Sequence, residues 1–226
     1  MSEPQQIIII GAGGQCKNTS FVIEQCRNEN NNPLYDILGF VDDDSTKHNK
    51  EIRRYKVLGS IDSILEQHNN IAFAFSIGNP HIVEKIVQKI KAYERKHQKT
   101  FKFPNIIHPS AQVDLNEVEM GEGNIIFPNV IFFTEIKIGS FNFFNRSCSI
   151  SHEDIIGNYC FIHSGVHLSG QITIGNKVWV GVGSTIIQQK TIGDNATIGA
   201  GAVVIKNVEA NAVMIGNPAK LLKYKK

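Results

Sequence analysis

From Met120 onward every sixth residue is large and apolar: Met120, Ile126, Phe132, Ile138, Phe144, Ile150, Ile156, Ile162, Leu168, Ile174, Val180, Ile186, Ile192, Ile198 and Val204, fifteen positions without a break. The residue two before each is often small or apolar, as at Val130, Ile136, Cys148, Cys160, Val166, Ile172, Val178, Ser184, Ala196 and Ala202. Gly121, Gly139, Gly157, Gly175 and Gly193 recur at intervals of 18, each just after a ladder residue. A period of six grouped into eighteen predicts a prism whose coils each have three short strands and three corners. Its aliphatic residues fill the axis and its glycines are expected at corners that need permissive backbone angles. Stacked at the ~4.8 Å strand spacing, such coils bury one continuous apolar column and need no disulfides.

The first hundred residues follow a different pattern. Ile7–Ile10 is a wholly apolar run suited to a buried parallel strand, followed by the turn Gly11-Ala12-Gly13-Gly14 and a helix from Lys17 to Cys26. Tyr35–Val41 predicts a second strand that ends in Asp42-Asp43-Asp44, and Ile71–Ile77 a third that ends at Gly78-Asn79. Helical periodicity covers Ser60–Gln67 and His81–His97. Strands and helices alternating at this spacing predict a small parallel α/β domain. The expected organisation is thus a Rossmann-like domain over residues 1–103 and a hexapeptide-repeat parallel β-helix over 104–226.

Composition narrows the function classes. A formal net charge of +2 with interspersed signs leaves no electrostatic footprint for nucleic acid. No apolar run approaches the ~20 residues that cross a bilayer, and the N-terminus lacks the basic region of a signal peptide. Cys16, Cys26, Cys148 and Cys160 form no C-x-x-C pair, so free thiols in the cytoplasm are expected, the last two as interior residues of the prism.

Two stretches carry candidate chemistry. In Ser149–Gly157, SISHEDIIG, the ladder residues Ile150 and Ile156 fix the register, so His152, two past Ile150, points outward. That excludes a core histidine and leaves either a solvated residue or one that faces a neighbouring subunit. His163 and His167 also fall outward or at corners. The scatter of these histidines over several faces argues against a metal site. In the first half, GAGGQCK follows a strand and opens a helix, where backbone N–H groups can cradle a phosphate. Cys16 occupies the third glycine position of G-x-G-x-x-G, which weakens an NAD reading.

The repeat, the closing IGNPAKLLK (215–223), the N-terminal IIIIGAGGQCK and the FVDDD stretch together resemble the hexapeptide-repeat sugar O- and N-acyltransferases, typified by PglD, perosamine N-acetyltransferase and NeuD. The resemblance spans essentially the whole chain and implies a left-handed β-helix, a homotrimer with active sites between subunits, and acetyl-CoA as co-substrate. It implies a nucleotide-linked amino sugar at Ala12, Gly13, Gly14, Asp42, Asp43, Gly78 and Asn79. His152 matches the general base of the motif H-[DE]-x-x-aliphatic-Gly, Glu153 its modulator, and Asn145 a further active-site residue. Acetyl-CoA contacts are expected at Phe161, Gly181, Val182, Gly199, Ala200, Asn217 and Pro218, with Lys206 and Lys220 as phosphate candidates. Phe161 stands where relatives carry a second histidine that contacts the acetyl group. The implied reaction is N-acetylation by direct attack, with a UDP-linked 4-amino sugar favoured. Sugar O-acetylation, or a non-catalytic nucleotide-sugar-binding partner protein, are the alternatives.

Overall fold

The computed structural model describes residues 3–225, in two compact units that divide between Pro109 and Ser110. The first is built on β1 (Gln5–Ile10), α1 (Cys16–Gln25), β2 (Tyr35–Val41), β3 (Glu51–Ile52), β4 (Tyr55–Lys56), α2 (Ile61–Gln67), β5 (Ala72–Phe75) and α3 (Pro80–His97). Strands β1, β2 and β5 form a parallel sheet in the order β2-β1-β5. Ile7, Ile8, Ile9 and Ile10 are all buried, which explains why the central strand is apolar on both faces. The helices bury one stripe each: Val83, Val87 and Ile90 on α3, and Ile61, Ile64 and Leu65 on α2.

Two features of this unit were not visible in the hydrophobic pattern. The antiparallel hairpin β3–β4 is too short to show periodicity, and its turn carries Arg53 at φ 57°. Arg53 and Arg54 both reach Glu24 of α1 at 2.9 Å. The C-terminal end of α2 is closed by Lys99, whose Nζ donates to the carbonyls of Leu65, Glu66 and His68 at 2.6–2.9 Å, supplying partners that the helix lacks.

The second unit is a left-handed parallel β-helix of about six turns. Three sheets run along it. One holds Val118–Met120, Ile136–Ile138, Ile155–Ile156, Thr173–Ile174 and Thr191–Ile192. The second runs from Ile125–Ile126 through Phe143–Phe144, Phe161–Ile162, Trp179–Val180 and Thr197–Ile198 to Ala212–Ile215, where Lys220–Tyr224 folds back antiparallel. The third holds Ile131–Phe132, Ser149–Ile150, His167–Leu168, Thr185–Ile186 and Val203–Val204. Partners within the coils lie 18 apart, as in Ile150↔Leu168 and Ile156↔Ile174. The apolar ladder is buried from Ile126 to Val204, and only Met120 at its start is half-exposed. Cys148 and Cys160 are interior, as their register implies.

The glycines at intervals of 18 serve a purpose different from the one expected of them. None has a positive φ; the left-handed corners recur every six residues from Gly123 to Gly201 and mostly carry ordinary side chains. Glu135, Phe141, Ser147, Glu153, Tyr159, Gln171, Lys177 and Gln189 all sit there with φ between 53 and 60°. The interval-18 glycines instead lie where consecutive coils touch backbone to backbone. A Cβ added at Gly157 would come 2.7 Å from the Gly175 carbonyl oxygen, and one at Gly139 2.7 Å from that of Gly157. The neighbouring residues complete this seam: Asn158, Asn176 and Asp194 each accept, through a side-chain oxygen, the amide 18 residues before, at 2.7–2.9 Å. Gly157→Ala should therefore lower the unfolding free energy by about 2 kcal/mol through overpacking against rigid backbone, measurable by denaturant titration.

Candidate functional site

Each unit carries one candidate site. In the first, a cavity of about 480 Å³ opens at the carboxyl ends of the parallel strands, the usual ligand position in open α/β sheets. Gly13, Gly14, Asp42, Asp43 and Gly78 line it, together with Gln15, Lys47 and Ser76. Gly11 ends β1 at φ 103°, where a Cβ would meet the Ile77 side chain at 2.7 Å, so the chain turns sharply into the cavity wall. Neither Gly13 nor Gly14 has an atom within 4 Å of where a Cβ would stand. Helix α1 begins at this turn with no side-chain cap; the Cys16 and Asn18 amides donate to the Gly13 and Gln15 carbonyls at 3.2 and 3.0 Å, and the positive end of the helix dipole lies at the turn.

The two acids are partly spent within the fold. Asp42 accepts the Ala12 amide at 2.8 Å and pairs with Lys47 at 2.9 Å, so it braces the glycine turn. Burial acts to raise its carboxyl, but the Ala12, Lys47 and Asp44 hydrogen bonds outweigh it and hold the group below the usual range. Asp43 accepts the Ile61 amide at the start of α2 at 3.0 Å. Ala12 is buried with its amide so engaged, and Asn79 caps α3 through the His81 amide at 3.0 Å; neither lines the cavity. Gln15 is the residue sequence reasoning undervalued: its Nε2 is buried, lacks a hydrogen-bond partner in the chain, and belongs to a cavity-lining side chain.

In the second unit His152 occupies the corner between Ser149–Ile150 and Ile155–Ile156, and its side chain is 57% exposed. Its Nδ1 lies 3.0 Å from Glu153 Oε2. The His152 contact, and after it the Gln171 amide, hold the Glu153 carboxyl below its usual range. An ionised carboxylate only accepts, so Nδ1 carries a proton, and in the neutral ring Nε2 is the nitrogen with the lone pair. That nitrogen lies over Gly170, where an added Cβ would stand 2.9 Å from it.

Asp154 adds a carboxylate that the register alone did not assign. Fully buried, it accepts the Ser151 amide at 3.0 Å and the Ile172 amide at 2.9 Å, which ties the corner that presents His152 to the next coil. Burial pushes its carboxyl up to about 6, against the pull of those two amides and the His152 charge. The folded value exceeds the reference of 3.8, so its contribution to stability is full below that reference and is lost as pH rises through about 6. Denaturation midpoints should rise as pH falls from 7 to 5, and Asp154→Asn should remove that component of the slope. An unchanged slope in the variant would contradict the assignment.

Asn145 is not brought to His152 within the chain. It sits at the other end of Ser149–Ile150, on a different corner, and its Oδ1 accepts the Arg146 amide at 2.8 Å. His163, Gly181 and Gly199 repeat the Asn145 position at intervals of 18. Val182, Ala200, Asn217 and Pro218 are exposed beside or beyond this column, as are Lys206 and Lys220. Phe161 is only 6% exposed and stacks between Phe143 and Trp179, at 4.4 and 5.0 Å. His163 lies against Phe161 and Trp179, and its Nε2 is buried without a hydrogen-bond partner. Burial lowers its pKa, favouring the neutral ring. His167 instead faces Ser149 Oγ at 2.8 Å. Burial pushes the Cys148 and Cys160 thiols up to about 12 and the Cys26 thiol to about 11.

The chain thus joins an α/β unit with a cavity at its strand ends to a β-helix that carries an outward histidine–glutamate pair, and both units are similar to proteins of known structure. Residues 6–90 match the family model of the PglD N-terminal domain. The acetyltransferase domain of PglB from Neisseria gonorrhoeae FA1090, solved with acetyl coenzyme A, is 26% identical, covers 97% of this chain and 100% of its own, and superposes with a TM-score of 0.84. A variant of GDP-perosamine N-acetyltransferase from Caulobacter crescentus, in complex with CoA and GDP-perosamine, is 25% identical over 96% of this chain and 97% of its own, with a TM-score of 0.84. WeeI from Acinetobacter baumannii AYE is 27% identical over 96% and 100%, with a TM-score of 0.81. Comparison with curated proteins gives no match. No helix among the described residues is long and apolar enough to cross a membrane.

Proposed function

We propose that this chain is an acetyl-CoA-dependent N-acetyltransferase for the amino group of a nucleotide-linked amino sugar, with a UDP-linked 4-amino sugar as first candidate. The observation that carries this reading is the His152–Glu153 pair. Its tautomer leaves Nε2 free to take a proton, and it stands outward on a β-helix similar to those solved with acetyl coenzyme A and with CoA and GDP-perosamine.

The first unit's cavity takes the nucleotide end. The pyrophosphate lies against Gly13, Gly14 and the start of α1, and Gln15 Nε2 donates to the ligand. The acyl donor lies along the column through Gly181, Val182, Gly199 and Ala200, towards Asn217 and Pro218. The sugar amine attacks the thioester carbonyl, His152 Nε2 removes the ammonium proton as the C–N bond forms, and CoA leaves as the thiolate. Glu153 and the buried Asp154 stabilise the imidazolium so formed. All four thiols are buried, which supports direct attack over an acyl-enzyme. The separation of Asn145 from His152 within the chain supports a homotrimer, in which the corner of a second copy supplies Asn145 to the site.

A panel of UDP-, GDP- and dTDP-linked amino sugars, incubated with acetyl-CoA while thiol release is followed, tests the reading. Turnover that depends on a free sugar amine is expected. Turnover only with sugars that lack an amine would assign O-acetylation instead.

A further inference from the structure

The left-handed corner that carries Glu153 is repeated at Gln171 and Gln189, at φ 60, 53 and 60°, so three side chains leave the β-helix one above another on successive coils. Gln171 Nε2 donates at 2.9 Å to Glu153 Oε2, the same oxygen that His152 Nδ1 reaches at 3.0 Å. Gln171 Oε1 in turn accepts from Gln189 Nε2 at 2.9 Å. The backbone follows the same path: the Gln171 amide donates to the His152 carbonyl at 2.9 Å, and the Gln189 amide to that of Gly170 at 3.1 Å.

We propose that Gln171 is a positioning residue for His152, acting through Glu153, with Gln189 fixing the direction of its amide. The inference rests on His152 being the base.

The polarity of this file follows from Glu153. An ionised carboxylate accepts only, so Gln171 must turn its NH₂ towards it; its oxygen then faces away and needs a donor, which Gln189 provides. The restraint matters because Glu153 is 46% exposed, and a single contact between two solvated side chains is worth little against the rotamer freedom lost. A second donor on the same oxygen holds the carboxylate where it fixes the imidazole tautomer. Glutamine does this without neutralising the carboxylate, whereas a lysine at that place would reduce the basicity of His152. The charged groups that act on the ring are Glu153 beside it and buried Asp154; further along the same file of corners stand Glu135, one coil earlier, and Lys190, whose Nζ donates to the Gln189 carbonyl at 3.1 Å.

The test is a histidine-selective NMR titration of the full chain. The His152 resonance is assigned by its loss in His152→Ala, and kinetics are measured on the same samples. Gln171→Glu should raise the His152 midpoint by about one unit and Gln171→Lys should lower it by a similar amount. In Gln171→Leu, kcat should fall by about 10-fold, a fraction of what a 1 Å misplacement costs, with KM for acetyl-CoA unchanged. Gln189→Leu, one coil further away, should show the same changes in weaker form. An unmoved midpoint in both charged variants, with native circular dichroism, would overturn the positioning role. The titration does not need turnover: an inactive wild-type protein whose midpoint still shifts would sink the acetyltransferase reading while the file stands.

Discussion

His152→Ala is expected to lower kcat by about 10²–10⁴-fold, the usual contribution of a positioned general base, while the thermal midpoint and oligomeric state stay as in the unaltered protein. The side chain is 57% exposed and packs into no core, so its removal leaves no cavity. KM for acetyl-CoA should change little, because the imidazole acts on the proton of the attacking amine and not on the pantetheine arm. Initial-rate kinetics with saturating amino sugar check this. A variant with near-normal turnover would remove His152 from the chemistry.

Gly170→Ala should cost nearly as much activity, although it alters no reacting group. Its Cβ would stand 2.9 Å from His152 Nε2, closer than real contacts allow, and 3.2 Å from two ring carbons, which is already tight. The imidazole is a side chain that can swing while the coil backbone cannot, so the ring yields. A displacement of about 1 Å in a catalytic group lowers rate by about 10²-fold. The φ of 102° adds a backbone penalty of about 1 kcal/mol. Gly165→Ala separates the two effects, because Gly165 also has a positive φ, of 67°, but its Cβ would meet only the Gly183 Cα, at 4.0 Å. Gly165→Ala should lose stability and keep kcat; Gly170→Ala should lose both. Equal kcat in the two variants would show that the ring does not depend on Gly170.

Much of this arrangement was legible in the sequence because the β-helix repeats itself. The six-residue ladder placed the axis, and with it the outward side of His152, since Ile150 and Ile156 leave no other register. The corners were not legible, because Glu153, Tyr159 or Lys177 at φ near 60° carry no local turn signature and are held there by stacking. For the same reason the glycines at intervals of 18 were credited with conformational freedom, when what they supply is room between coils. Asp42 shows another limit: its place after β2 marked it as a ligand residue, yet only the fold reveals that its carboxylate braces Ala12. Gln15 sits in the glycine turn with no role assigned to it and Gln171 carries no motif, so both stand out only once the cavity and the Glu153 contact are in view.

The most direct measurement of the central claim is product analysis of the unaltered protein with acetyl-CoA and a UDP-linked 4-amino sugar, following thiol release and the mass of the sugar nucleotide together. One acetyl group should appear on the sugar nitrogen for each CoA released, with no acyl-protein species detected by intact mass. Absence of amine-dependent release across UDP-, GDP- and dTDP-linked amino sugars, from a protein that still binds acetyl-CoA, would contradict the account.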